Sequence, residues 1–160
     1  MRIHLIAIGG SAMHNFALAL KHSGHKVSGS DDQIFEPSRG RLEKAGLLPT
    51  SEGWHPENIS KEIDVIILGM HARKDNPELA RANEMGIDVQ SYPEFLYNAT
   101  SNKKRIVIGG SHGKTTITSM LLHVLNVLEK NTDYMVGAQL EGFDRMLELK
   151  EENDLAVIEG

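Results

Sequence analysis

Residues 109–116, GGSHGKTT, have the types and spacing of a loop that binds phosphate. Glycine allows the backbone N–H groups of such a loop to converge on an anion, because it adopts the required backbone angles without steric cost. A helix that begins directly after the loop adds its own unpaired N–H groups and its dipole, which both favour an anion. Lys114 can then neutralise the terminal phosphates, and the Thr115 hydroxyl can bind magnesium.

The match to the full phosphate-loop pattern fails at one position. That pattern has a glycine five residues before Gly113, where this chain has Ile108, whereas the shorter core GSHGKTT is intact. The alternative is an ordinary glycine turn with a solvated lysine. The agreement of the glycines, the Lys-Thr pair and the flanking strand and helix patterns favours a triphosphate site. We predict that it is formed by Gly110, Ser111, His112, Gly113, Lys114, Thr115 and Thr116, with Lys114 and Thr115 as the catalytic residues.

An apolar run, LAVIEG at 155–160, ends in Glu159. A carboxylate at the end of a strand beside a phosphate loop could complete a magnesium site, so Thr115 and Glu159 are the predicted metal ligands. A glutamate at a strand end is equally often a solvated surface residue, so this pattern alone does not decide between the two.

A second glycine cluster, IAIGGSAM at 6–13, follows the first apolar run of the chain. It departs from the dinucleotide fingerprint, because Ala7 and Ala12 stand where the outer two glycines would be. Asp31 lies at the end of the second predicted strand, where that fingerprint has an acid for the ribose. We predict a nucleotide diphosphate at the N-terminus of the first helix; the alternative is close packing of strand and helix.

Short apolar runs alternate with helical patterns along the chain, which is typical of βαβ units and a parallel sheet. The polar, aperiodic segment 98–105 suggests a linker, after which the pattern restarts. The sequence predicts an α/β protein with a Rossmann-like domain at 1–100 and the start of a P-loop domain at 101–160. Strands are predicted at 3–8, 25–29, 64–69, 87–90, 105–108, 133–137 and 154–160. Helices are predicted at 37–45, for one turn at 93–98, and from about Met13, Asn76 and Thr115, the last with an apolar stripe of Ile117, Met120, Leu121, Val124, Leu125 and Leu128.

Composition excludes several classes of protein. The net charge of −5 argues against a nucleic-acid-binding surface, and the absence of cysteine excludes disulfides and thiolate metal sites. No apolar run approaches the roughly 20 residues of a membrane-spanning helix, and no signal peptide is recognisable. The expectation is a cytoplasmic protein without nucleic-acid or membrane partners; the oligomeric state is not indicated.

Taken together, the motifs IHLIAIGGSAM, VSGSD, DNPE and GSHGKTT resemble the Mur ligases, over essentially the whole chain. The resemblance implies ATP-dependent amide ligation in peptidoglycan synthesis or recycling, with Mg²⁺ and an acyl phosphate formed before the amine attacks. His112 is typical of the branch that acts on UDP-N-acetylmuramate. Residues 29–47 and 137–144 resemble members that add the tripeptide L-alanyl-γ-D-glutamyl-meso-diaminopimelate more than members that add L-alanine.

The resemblance also implies roles for individual residues. The first domain would hold the UDP-sugar through the backbone of the first glycine cluster and through residues near the nucleoside, and the second would hold ATP and Mg²⁺. Ala12 and Ser111 depart from the family's usual glycine and threonine. No counterpart of the family's third, amine-binding domain is present, so we expect the 160 residues alone to be inactive. The implied UDP-sugar residues are Gly9, Gly10, Ser11, Ala12, Met13, Ser30, Asp31, His71 and Arg73.

Three alternatives stay open at this point. One is ligation of L-alanine instead of a tripeptide to UDP-N-acetylmuramate. A second is an oxidoreductase that binds NAD at the first glycine cluster, which leaves GSHGKTT unexplained. The third is a module that binds a UDP-sugar without catalysis.

Overall fold

The computed structural model describes residues 1–70, 72–137, 143 and 145–160. The chain divides into two compact units, Met1–Leu96 and Tyr97–Gly160. Each unit contains a four-stranded sheet with helices between its strands, so the α/β class expected from the sequence is confirmed.

The first unit has a fully parallel sheet in which the strand order is β2-β1-β3-β4. Because the chain adds β2 on one side of β1 and β3 on the other, the order reverses between β1 and β3, which is where open parallel sheets bind ligands. The elements are β1 (Arg2–Ile6), α1 (Ser11–His22), β2 (Lys26–Ser30), α2 (Ser38–Lys44), a 3₁₀ turn (Pro56–Asn58), β3 (Val65–Leu68), α3 (Pro77–Met85), β4 (Asp88–Ser91) and α4 (Tyr92–Ala99), within which the boundary between the units falls.

Helix α3 shows how local signals fix the ends of an element. Asn76 caps its N-terminus by accepting hydrogen bonds from the backbone of Glu78 at 2.9 Å and Leu79 at 3.1 Å. Pro77 occupies the first helical position, where its missing N–H costs nothing. Gly86 ends the helix with a left-handed backbone at φ 67°. The helix start predicted at about Asn76 is therefore confirmed, and a left-handed glycine marks the end of the helix.

The second unit has a mixed sheet in which the strand order is β5-β8-β6-β7. β5, β8 and β6 pair in parallel, whereas β7 pairs antiparallel with β6. β7 is two residues long, and the sequence analysis did not predict it. The elements are β5 (Lys104–Ile108), α5 (Lys114–Val127), β6 (Asp133–Met135), β7 (Leu147–Glu148) and β8 (Leu155–Glu159).

The apolar stripe predicted for α5 is wrong in its phase. The core of this unit takes Leu121, Leu122 and Leu125 from the helix, with Tyr134, Val136 and Val157 from the strands and the segments after them. The cause is that α5 is apolar on more than one face, so that residue spacing could not show which face packs. Four of the six stripe residues are instead exposed: Ile117, Met120, Val124 and Leu128.

The linker predicted at 98–105 is shorter in the structure. α4 continues to Ala99 and β5 begins at Lys104, which leaves only residues 100–103 between them. Thr100 is buried. The polar character of this segment reflects buried polar contacts as well as exposure, and composition cannot separate the two. Within the described residues, no helix combines the length and apolar character that a membrane crossing requires.

A buried ion pair ties the N-terminal ends of the strands of the second unit together. Lys103 Nζ lies 2.6 Å from Asp133 Oδ2, and both side chains are almost completely buried. The other oxygen, Asp133 Oδ1, accepts hydrogen bonds from Lys150 N at 2.9 Å and Asn153 Nδ2 at 2.7 Å. Every charge of the pair is thus compensated.

Lys103→Ala should strongly destabilise the second unit, because it leaves the Asp133 carboxylate buried without its cation. We expect a loss of about 3 kcal/mol or more in the free energy of opening. Native-state hydrogen exchange of the β5 and β6 amides measures this quantity. Lys104→Ala, at an exposed neighbouring position, is the control and should change it by about 0.5 kcal/mol at most. Equal effects of the two substitutions would contradict the assignment.

Candidate functional site

The first glycine loop leaves β1 through an unusual backbone turn. Ala7 has a left-handed conformation at φ 67°, which costs an alanine about 1 kcal/mol. Three consecutive N–H groups hold the turn. Those of Ala7 and Ile8 donate to the carbonyl oxygen of Ser30 at 2.9 and 3.0 Å, and that of Gly9 donates to Asp31 Oδ2 at 2.7 Å. The loop is therefore shaped by the end of β2.

Helix α1 begins directly after this turn. Gly10 is the N-cap and has no side chain to satisfy the first turn, so the N–H groups at the start of the helix have no capping side chain. Ser11 and Ala12 are exposed, whereas the Met13 side chain is buried in the core. The five residues predicted for the diphosphate are thus brought together, but the Gly9 N–H is already engaged by Asp31.

Asp31, the acid at the end of β2, accepts a backbone hydrogen bond at each of its two carboxylate oxygens. Asp31 Oδ1 accepts a hydrogen bond from the N–H of Asp32 at 2.9 Å, while Oδ2 accepts one from the N–H of Gly9. Burial raises the pKa of Asp31 to about 6, and the neighbouring Asp32 carboxyl adds to the shift against the lowering effect of the Gly9 hydrogen bond. Sequence reasoning placed Asp31 at the nucleoside; the structure also makes it a support of the glycine loop.

A buried carboxylate that sequence reasoning did not assign lies behind this edge. Glu78 has 0% of its side chain exposed. Its Oε1 accepts the His55 N–H at 2.7 Å, and its Oε2 accepts the Ser30 hydroxyl and lies 3.4 Å from His4 Nε2. Burial alone would raise the pKa of Glu78, but the hydrogen bonds from His4, Ser30 and His55 outweigh it and hold that pKa below its ordinary value. The Ser30 hydroxyl, predicted near the nucleoside, is therefore directed at Glu78.

His14 is a second residue that sequence reasoning did not assign. Its Nδ1 lies 2.9 Å from both the Gly10 carbonyl oxygen and Ser38 Oγ. Burial lowers the pKa of His14, with a further contribution from the Arg41 charge, so the ring is neutral at neutral pH. It joins the start of α1 to the start of α2. A polar residue inside an otherwise apolar helix face was the only signal in the sequence.

The loop after β3 was predicted to reach the same ligand. Because β1, β2 and β3 are parallel, their carboxyl ends lie at one edge of the sheet, and the segment 69–76 begins there. Arg73 is exposed, and its carbonyl oxygen accepts the Asn76 N–H at 3.1 Å in the turn before α3. His71 lies outside the described residues.

The second glycine loop connects β5 to α5. Gly110 and Gly113 have φ angles of 154° and 75°, of which the second is a left-handed conformation at the N-cap of α5. The loop is exposed, and Lys114 Nζ donates to the Gly110 carbonyl oxygen at 2.8 Å. His112 Nδ1 lies 3.2 Å from Ser111 Oγ. The Lys114 ammonium group is thus hydrogen-bonded to the loop in which an anion would bind.

Strand register places Glu159 beside this loop. β5 and β8 are parallel neighbours in which Ile108 is opposite Glu159, so the loop and the carboxylate leave the sheet at the same point. Thr115 Oγ1 donates to Glu159 Oε1 at 2.7 Å, and the Gly137 N–H donates to Oε2 at 3.0 Å. Glu159 is 8% exposed.

This pair of oxygen donors fits a magnesium ion. Mg²⁺ prefers hard oxygen ligands and is usually held by one or two protein groups together with substrate phosphates. In the described part of the chain, no cluster of three or more histidine, aspartate or glutamate side chains could hold a metal alone. Thr115 and Glu159 would therefore share the ion with waters or substrate phosphates.

Comparison with known proteins identifies the family of this chain. The sequence profile described as "Mur ligase family, catalytic domain" matches residues 2–104, which is more than half of the chain. The chain belongs to the Mur ligase family. A UDP-N-acetylmuramate--L-alanine ligase from Syntrophomonas wolfei is 34% identical over 140 residues, 88% of this chain and 30% of that protein. One from Carboxydothermus hydrogenoformans is 36% identical over 125 residues, 78% of this chain and 26% of that protein.

Solved structures agree with the family. A UDP-N-acetylmuramate:L-alanyl-γ-D-glutamyl-meso-diaminopimelate ligase from Neisseria meningitides superposes with a TM-score of 0.81 at 28% identity, over 99% of this chain and 52% of that one. The UDP-N-acetylmuramate-alanine ligase from Thermotoga maritima gives a TM-score of 0.77 at 28% identity, over 99% and 36%. This Mur ligase chain spans about 30% of the length of the curated relatives it matches.

The raised pKa of Asp31 makes stability depend on pH. From its ordinary value of 3.8 to about 6, the folded chain keeps a proton that the unfolded chain has lost, so this carboxyl makes the free energy of unfolding fall as pH rises. Asp31→Asn cannot ionise and should gain stability relative to the parent sequence across that interval, with no further gain at higher pH. Urea unfolding at a series of pH values measures the difference. A difference that is constant from low to neutral pH would refute the shift.

Proposed function

We propose that the parent protein is an ATP-dependent amide ligase that uses UDP-N-acetylmuramate, and that this chain supplies its UDP-binding domain at 1–100 and the start of its ATP-binding domain at 101–160. The observation that carries the proposal is the Thr115–Glu159 pair, which strand register places beside the Lys114 loop. Membership of the family supports the ligase class. Ligation requires a phosphate site of this kind, because a carboxylate must be activated before an amine can displace its oxygen.

The backbone of the second loop, two of its side chains and Glu159 have physical roles in this proposal. The backbone N–H groups after Gly110 and Gly113 and the first turn of α5 bind the ATP phosphates. Lys114 exchanges its exposed bond with the Gly110 carbonyl for the terminal phosphates and neutralises charge during phosphoryl transfer. Thr115 and Glu159 hold Mg²⁺, which supplies charge neutralisation on the phosphate oxygens.

The first loop binds the diphosphate of the UDP-sugar. Ser11 and Ala12 begin α1 in an exposed position, with no capping side chain above them. Backbone N–H groups at the start of α1 and the helix dipole favour an anion there. Because the Gly9 N–H already donates to Asp31, it is not available to the phosphates. They bind instead to the N–H groups at the N-terminus of α1.

Two amine acceptors are candidates. The preferred one is the tripeptide L-alanyl-γ-D-glutamyl-meso-diaminopimelate, supported by the Neisseria structure, whose printed name specifies that ligation. The second is L-alanine, supported by the curated relatives, whose printed names specify it. The amine would be positioned outside these 160 residues, so we expect the chain alone not to ligate.

UDP-N-acetylmuramate should bind the 160-residue chain saturably, and NAD should not compete. The reason is that both Asp31 oxygens already accept backbone N–H groups, which disfavours the hydrogen bond to the ribose hydroxyl that the acid of a dinucleotide fold makes. Isothermal calorimetry with each ligand, alone and in competition, measures this. Binding of NAD as tight as that of the UDP-sugar would favour the oxidoreductase alternative.

Lys114→Ala should abolish activity of the full-length protein while leaving the affinity for UDP-N-acetylmuramate within about twofold, because the lysine and the first loop lie in different compact units. Phosphate release from ATP, UDP-N-acetylmuramate and each amine in turn measures activity and separates tripeptide from L-alanine. Lys130→Ala, at an exposed lysine after the opposite end of α5, is the matched control and should retain activity. Normal turnover by Lys114→Ala would contradict the assigned role.

A further inference from the structure

Glu78 ends the DNPE motif, 75–78, but neither the proposed reaction nor the UDP-sugar contacts assign it a role. It is a fully buried carboxylate in the first turn of α3. Its three partners come from three separate segments: His4 in β1, Ser30 at the end of β2, and the backbone of His55 before the 3₁₀ turn. Because Glu78 contacts all three segments, its position affects the position of each of them.

Ser30 is the partner that leads to the candidate diphosphate loop. Its carbonyl oxygen accepts the N–H groups of both Ala7 and Ile8, and the next residue, Asp31, accepts that of Gly9. The loop contains the left-handed Ala7, an unfavourable conformation that persists only when the surroundings determine it. The acceptors of all three hydrogen bonds belong to residues 30 and 31. The position of the loop therefore depends on the position of the end of β2.

Among the described residues, β2 is an edge strand of its sheet and pairs with β1 alone. The backbone of Ser30 pairs with that of Ile6. The backbone carbonyl oxygen of Asp31 accepts the Gly53 N–H at 2.8 Å in an isolated bridge. The Ser30 side chain is buried and donates to Glu78, which fixes the strand end on the side away from solvent. Glu78 Oε1 holds His55, two residues after Gly53, and so supports the bridge as well.

We propose that Glu78 is a positioning residue for the first glycine loop: through Ser30 and the 53–55 segment it sets the end of β2, and the end of β2 sets the loop amides that precede the anion-binding start of α1. The inference rests on the proposed function for the identity of the ligand, but not for the effect on the loop. An apolar side chain of similar volume would avoid the desolvation of a buried carboxylate, so stability alone is a poor reason for an acid here.

The experiment compares three substitutions in the 160-residue chain. Glu78→Gln keeps the volume but replaces one acceptor oxygen with a donor, and Ser30→Ala removes only the link to β2. Met85→Ala is the matched control, because Met85 lies at the other end of α3 and packs against an apolar core of the same unit. The readouts are amide hydrogen exchange at Ala7, Ile8 and Gly9 without ligand, and the dissociation constant for UDP-N-acetylmuramate by calorimetry.

We expect exchange at the three loop amides to become roughly tenfold faster in Glu78→Gln and Ser30→Ala, as for the loss of one hydrogen bond to a charged group, and affinity to fall by a similar factor. Met85→Ala should lower global stability without changing either readout selectively. Loop amides that keep their parental protection in Glu78→Gln would overturn the proposal, as would an equal selective effect in Met85→Ala. Altered exchange in a chain whose parental form binds no UDP-sugar would uphold the positioning role and refute the proposed ligand.

Discussion

Parallel pairing of strands is the constraint on which both candidate sites depend. A parallel sheet brings the carboxyl ends of all its strands to one edge, and the helices that follow begin there with unpaired N–H groups. In the first unit this edge collects the glycine loop after β1, the acid after β2 and the segment after β3. In the second, the register that sets Ile108 opposite Glu159 puts a hydroxyl and a carboxylate in contact across 44 residues of sequence separation. Neither arrangement would arise from an antiparallel sheet, in which neighbouring strands end at opposite edges.

The two units use buried charge differently. In the second, the Lys103–Asp133 pair is fully matched and lies at the end of the sheet away from the phosphate loop, so it stabilises strands without touching the site. In the first, the buried acids Asp31 and Glu78 lie behind the glycine loop and accept hydrogen bonds chiefly from backbone and hydroxyl donors. For Glu78 these hydrogen bonds outweigh burial and hold the pKa below its ordinary value, whereas for Asp31 burial and the neighbouring Asp32 carboxyl outweigh them and raise the pKa to about 6.

Much of the fold could be predicted from the sequence, because the signals involved are local. Glycine at positions with left-handed backbone, such as Gly86 and Gly113, and the Asn76-Pro77 cap identify turns and helix ends from a few neighbouring residues. The alternation of apolar runs gave the parallel α/β class. The two-residue β7 was not predicted, because so short an antiparallel strand has no periodicity. The phase of α5 was wrong, because apolar residues occupy more than one face of this helix. The length of the 98–105 linker was overestimated, since a buried Thr100 and a paired Lys103 look in sequence like solvated residues.

The sequence by itself determined the residue types of both loops, the order of elements around them and the family to which they belong. Only the tertiary structure decided which donors and acceptors meet. In the structure, the Ser30 hydroxyl donates to Glu78, the Gly9 N–H donates to Asp31, and the Thr115 hydroxyl donates to Glu159. The physical reason is that residue types and glycine positions are local properties of the chain, whereas the left-handed backbone of Ala7 and the pairing of each buried polar group depend on partners that strand order and register bring from tens of residues away.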